Sequence, residues 1–89
     1  MVEKKVRYVR ISPQDNTALA LVNLSKGNTI IIEELSFILF EDVPYMHKFS
    51  VRKIALGEHI VKKGEIIGIA TKPIRQGEHV HVHNMKGLV

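Results

Sequence analysis

One seven-residue frame recurs along this chain and limits what it can fold into. Leu24-Ser-Lys-Gly27-Asn-Thr-Ile30, Ile54-Ala-Leu-Gly57-Glu-His-Ile60, Val61-Lys-Lys-Gly64-Glu-Ile-Ile67 and Ile74-Arg-Gln-Gly77-Glu-His-Val80 each set a glycine midway between two aliphatic residues. Glycine enters backbone conformations of positive φ without steric cost, so the frame reads as a turn whose flanking aliphatics face inward. The copies are irregularly spaced, which argues for reuse of one local turn and against a solenoid. Glu58 and Glu78 recur at one place in the frame, and that recurrence favours a structural role.

Short runs rich in Ile, Val or Phe lie between the turns, at residues 29–33, 36–40, 49–53, 65–71 and 79–84, and these read as strands. Upstream, residues 6–11 have strand character and are stopped by Ser12-Pro13-Gln14-Asp15-Asn16, where one short helical turn is expected. Residues 17–22 are apolar but short for a helix and read as a strand. Pro44 and Pro73 fall between runs, where a missing N–H does no harm to a ladder. No stretch sustains a 3.6-residue period with caps at both ends. The expectation is one all-β domain over residues 1–89, built of short strands joined by glycine-containing turns.

Composition removes several functions. There is no cysteine, hence no disulfide framework, thiolate metal site or cysteine nucleophile. No apolar run approaches the roughly 20 residues that span a bilayer, and Met1-Val-Glu-Lys-Lys-Val-Arg lacks an apolar signal core, so a cytoplasmic protein without membrane contact is expected. The net charge of +4 is spread from Lys4 to Lys86 with only five aromatic residues among the cations. That gives no stacking platform for nucleic acid, and an acidic partner or a small anionic substrate accounts for the charge equally well.

The segment His79-Val80-His81-Val82-His83 carries the chemistry. Extended, it would show three imidazoles on one face and two valines on the other, the valines joining a core. Two steps of ~3.3 Å put His79 and His81 roughly 7 Å apart at Cα, within reach of one divalent metal, whereas His79 and His83 would stand about 13 Å apart. A pair is therefore expected, and a triad from this strand alone is not. The plain alternative is a solvated strand face.

Three stretches together resemble one family: Pro44-Tyr-Met-His47-Lys48, Val61-Lys-Lys-Gly64-Glu-Ile-Ile67-Gly68-Ile-Ala70, and Gly77-Glu78-His79-Val80-His81-Val82-His83-Asn84, with Pro13-Gln-Asp15-Asn16 as an opening. This pattern resembles the small N-terminal domain of the altronate and galactarate dehydratases, of the SAF superfamily of β-clip folds, and covers nearly the whole chain. Met46 stands where that family usually has glycine before the His-Lys pair, and Lys63 where it often has tyrosine. Because the chain ends at Val89, soon after the histidines, the resemblance implies a free-standing small subunit beside a large catalytic subunit. The similar sulfolactate sulfo-lyase has the same arrangement. Self-association remains open to the isolated chain.

The resemblance implies a hydro-lyase acting on an acidic sugar, removing the proton α to a carboxylate and water from the β carbon to leave a 2-keto-3-deoxy acid. It also implies a divalent metal, Fe2+ or Mn2+, and imidazole with oxygen ligands suits either. His79 and His81 are the expected metal ligands, with substrate contact as the other role open to them. His47 and Lys48 are expected in catalysis, Lys48 also holding a substrate carboxylate as a point charge. His83 and Asn84 are expected substrate contacts, and His59 an exposed turn residue. The competing readings are a C–S lyase small subunit of the sulfolactate type and a non-catalytic module that binds a sugar acid or a partner.

Overall fold

The computed structural model describes residues 6–88. The N-terminal residues 1–5, part of the stretch expected to lack a signal core, and the terminal Val89 lie outside the described residues. Among those described there are nine strands and no helix: β1 (Tyr8–Val9), β2 (Thr17–Ala20), β3 (Thr29–Ile32), β4 (Leu35–Ile38), β5 (Lys48–Ser50), β6 (His59–Lys62), β7 (Glu65–Ala70), β8 (His79–Val80) and β9 (Met85–Gly87). Every strand pairing is antiparallel, and with no helix among the described residues the all-β expectation holds. The sheet order is β1-β2-β5-β8 in the middle, with the β3-β4 hairpin and the β6-β7-β9 sheet attached to it.

The seven-residue frame organises this architecture, with one substitution that the sequence hid. Four turns share one geometry: Leu24 to Ile30, Val43 to Phe49, Ile54 to Ile60 and Ile74 to Val80. Their fifth residues, Asn28, His47, Glu58 and Glu78, each donate a backbone N–H to the carbonyl of the second residue, Ser25, Pro44, Ala55 or Arg75, at 2.9–3.1 Å. The fourth position has positive φ in all of them, at Gly27 (90°), Gly57 (83°), Gly77 (87°) and Met46 (68°). Met46 thus occupies a glycine's place, which is why a search for glycine passes over this turn. The Val61 to Ile67 copy is a different object. There Lys63 and Gly64, both of positive φ, make the two-residue tip of the β6-β7 hairpin, the left-handed pair that matches strand twist.

The four turns work in two couples. Leu24 exchanges backbone hydrogen bonds with Val43, and Ile54 with Ile74. Each couple encloses a hairpin and its own core. Leu24, Ile30, Ile32, Phe37, Leu39, Val43 and Phe49 fill the first, together with Ala18 and Ala20 from β2. Ile54, Ile60, Ala70, Ile74 and Val80 fill the second. Alternation decides which residues enter: in β3, Ile30 and Ile32 are buried while Ile31 faces out.

Asp15, Asn16 and Thr17 fasten the halves together. The Asp15 carboxylate accepts N–H bonds from Ser12 (3.0 Å), Lys63 (3.0 Å) and Gly64 (2.8 Å). Asn16 donates to the His59 carbonyl and accepts from the Val61 N–H, and the Thr17 hydroxyl donates to the Val61 carbonyl. All three side chains are buried, so each polar atom needs such a partner. The segment expected to form a short helical turn is a single Asp15 N–H to Ser12 carbonyl turn, tightened by that carboxylate.

Other expectations are corrected. The first strand shrinks from residues 6–11 to Tyr8–Val9, β6 runs where two turns were expected to abut, and β9 lies in a segment where no strand was anticipated. The strand expected over residues 79–84 stops at Val80. Val82, assigned to the core face, is 80% exposed, because residues 81–84 form a turn instead of continuing the pleat.

Candidate functional site

The site forms where two of the four turns meet the central sheet. Reciprocal bonds between Ala20 and the Met46-His47 segment extend the β2-β5 ladder and set His47 just before β5. Phe49 lies opposite His79 and Lys48 opposite Val80, so the Val43 to Phe49 turn and the Ile74 to Val80 turn deliver their residues side by side. Ser50 anchors the latter turn, donating its hydroxyl to the Arg75 carbonyl and accepting from the Glu78 N–H.

Asn84 shapes the segment after β8. It is buried, its amide donates to the His79 carbonyl at 2.8 Å, and its oxygen accepts the His81 N–H at 3.0 Å. These bonds close the 81–84 turn and fold the segment back on itself. The imidazoles of His79 and His83 come to 5.4 Å between ring centres, although an extended strand would hold the two residues about 13 Å apart at Cα. Asn84 stands behind the histidines with both ends of its amide engaged within the chain, and His83 is exposed at the rim.

His47, His79 and His81 converge. Ring centres are 5.0 Å apart for His47 and His79, 4.5 Å for His47 and His81, and 5.5 Å for His79 and His81, all stacked. One nitrogen from each lies within 4.8 Å of the others. His47 Nδ1 and His79 Nε2 are 2.9 Å apart. At this separation the two facing nitrogens cannot both carry hydrogen: one ring donates to the lone pair of the other, or both lone pairs turn to a cation. Two imidazole nitrogens bound ~2.1 Å from one ion stand ~3.0 Å apart at a right angle or ~3.4 Å in a tetrahedron. The 2.9 Å pair therefore has the spacing of two ligands on one divalent ion, the His81 nitrogen lies within 4.8 Å of both, and imidazole nitrogens suit iron, manganese or zinc.

Electrostatics favours neutral rings here. Burial, followed by the nearby His47, His83, His81 and Lys48 groups, pushes His79 from 6.5 down to about 4. Burial lowers His81 as well, followed by His47, Lys48 and His83. A ring already neutral at pH 7 binds metal without losing a proton.

Lys48 is half-buried, and burial, with the charge of Lys62 second, lowers its ammonium below the usual lysine range. The two lysines line one small cavity beside Asp15, a proximity that residue spacing does not disclose. His59 is exposed and stands apart at the start of β6. Glu58 and Glu78 take a structural part: their carboxylates accept the N–H of Ala55 (2.9 Å) and Arg75 (3.2 Å), closing their own turns.

Residues 6–88 match the family described as altronate/galactarate dehydratase SAF domain. The chain is 37% identical over 81 residues to the altronate dehydratase of Escherichia coli (strain K12), covering 91% of this chain and 16% of that protein. It is 38% identical over 79 residues to the altronate dehydratase of Bacillus subtilis (strain 168), covering 89% and 16%. With the (2R)-sulfolactate sulfo-lyase subunit alpha of Chromohalobacter salexigens it shares 44% identity over 52 residues, 58% of this chain and 55% of that subunit. The chain thus spans about a sixth of the two dehydratases and about half of the lyase subunit. It belongs to the altronate/galactarate dehydratase SAF domain family, a domain related to lyases of sugar acids.

Proposed function

We propose that this chain is the small subunit of a hydro-lyase acting on acidic sugars, lending residues to a site that a large catalytic subunit completes. The convergence of His47, His79 and His81 carries the reading. Three imidazoles with donor atoms within 4.8 Å make half a coordination sphere, which leaves room for a bidentate substrate and for ligands from a partner. A divalent ion, Fe2+ or Mn2+, would supply Lewis-acid stabilisation of the negative charge that develops as the α proton leaves.

The chain's own groups divide the work by charge and proton state. His79, neutral down to about pH 4, is a weak base and a ready ligand, so it holds metal instead of accepting the α proton. His47 and His81 complete the imidazole face. Lys48 attracts the substrate carboxylate, and its partial burial strengthens that attraction by reducing solvent screening. The base that removes the α proton and the acid that helps the β hydroxyl depart as water come from the partner. The enol left behind becomes the 2-keto-3-deoxy acid by protonation at C3.

A second reading, elimination of sulfite from a sulfonated hydroxy acid, is favoured by the identity to the sulfo-lyase subunit. Purification of the tagged chain from its native host, with whatever larger chain accompanies it, tests both readings. Loss of altronate or galactarate in the presence of Fe2+ or Mn2+, abolished by His79→Ala, is expected. Release of sulfite from sulfolactate would move the assignment to the second reading. Recovery of a lone chain with no larger partner and no bound metal would refute the small-subunit role.

A further inference from the structure

A second ligand set lies against the first. Glu41, from the segment between β4 and β5, comes together with His79 and His83, and one donor atom from each lies within 4.8 Å of the others. The placement is not incidental to a flexible surface. Phe40, immediately before Glu41, donates its N–H to the Gly77 carbonyl at 2.9 Å, and the Arg75 guanidinium lies 4.5 Å from the Phe40 ring centre. Those contacts dock the segment on the turn that presents His79.

Glu41 is half-buried, yet among the described residues its carboxylate enters no ion pair and no side-chain hydrogen bond. Within 4.8 Å of a carboxylate oxygen lie nitrogens of two imidazoles, groups that can share a cation with it. From this geometry we propose that Glu41, His79 and His83 form a second divalent-cation position, overlapping the three-imidazole set through His79. The carboxylate oxygen gives it a harder ligand set than the first, suited to Mn2+. His83 then serves a cation, in place of the substrate contact expected from the sequence. This cation position needs neither substrate nor partner, so it stands or falls apart from the dehydratase reading.

Manganese titration of the full 89-residue chain, monitoring the free aquo-ion by EPR, tests it. His47→Ala removes a ligand of the first set and leaves all three of the second, and this variant is expected to keep saturable Mn2+ binding. Adding Glu41→Gln to it is expected to weaken binding roughly tenfold or more, as is adding His83→Ala. Weakening of less than tenfold in either double variant, or no binding by His47→Ala, would overturn the proposal. Should His47→Ala lose its cooperative melt, His81→Ala dismantles the same first set and is read by the same criteria.

Discussion

Gly57 and Gly77 hold the same place in two coupled turns, with φ of +83° and +87°, but their surroundings differ. A Cβ on Gly57 would meet nothing within 4 Å, whereas one on Gly77 would lie 2.6 Å from the Ile38 carbonyl oxygen and 3.3 Å from Phe37 Cδ2. Alanine at either position carries the left-handed cost of roughly 1–2 kcal/mol, offset by roughly 0.4–1 kcal/mol from a less disordered unfolded chain. Gly57→Ala is therefore expected to lose about 1 kcal/mol. Gly77→Ala must also displace a backbone carbonyl beside the buried Phe37, an overpacking strain of ~1–3 kcal/mol. Its total is about 2–4 kcal/mol.

Urea denaturation of the two variants beside the parent chain reads the difference directly, since their shared φ cancels. At roughly 4–8 °C per kcal/mol for a domain of this size, the melting temperatures should also separate by several degrees or more. Equal destabilisation of the two would refute the close approach of Gly77 to Ile38, and with it the contact that seats the His79 turn on the first half of the fold.

Asp15→Ala should cost roughly 3 kcal/mol or more, because three backbone N–H groups lose an ionised acceptor, and urea melts would show it. Burial alone would raise the Asp15 carboxyl, but the N–H bonds from Gly64, Ser12 and Lys63 and the charge of Arg10 outweigh it and leave the group below its ordinary 3.8. Its contribution is therefore complete above that value and fades as pH falls through the lower folded value, and Asp15→Ala should flatten that acid limb. His79 behaves oppositely to a salt-bridged histidine: folded, it resists protonation down to about 4, while the unfolded chain takes up the proton near 6.5. Chelator-treated protein should lose stability as pH falls from about 6.5 to about 4, and His79→Gln should reduce that slope; an unchanged slope would refute the lowered value.

The fold was legible where local chemistry decides it. Glycine at a fixed place between aliphatics marked three of the four turns, and β-branched runs such as Ile30-Ile31-Ile32 marked strands, though three identical residues could not show which face is buried. Legibility failed where a residue acts at a distance. Asp15 and Asn16 look like turn residues, and nothing near them announces that their partners are residues 59–64. The histidine segment misled for a related reason: spacing along a strand holds only while the strand continues, and the buried amide of Asn84 ends it after Val80. Glu41 had no signal at all, being brought to His79 by a backbone bond from Phe40 to Gly77.

The composition of the turns explains why a site forms at one place in this repeating scaffold. In three turns the fifth residue caps its own turn, Asn28, Glu58 and Glu78 each accepting the N–H of the second residue. In the turn that carries His47 the second residue is Pro44, which has no N–H to satisfy. The fifth residue is thereby released from capping, and an imidazole can take its place and face His79 without leaving a donor unpaired. Met46 completes the exchange by taking the positive φ that glycine fills elsewhere, at an exposed position. A proline three residues before a histidine, in a frame whose other copies carry Asn or Glu, is thus the local sequence mark of the site.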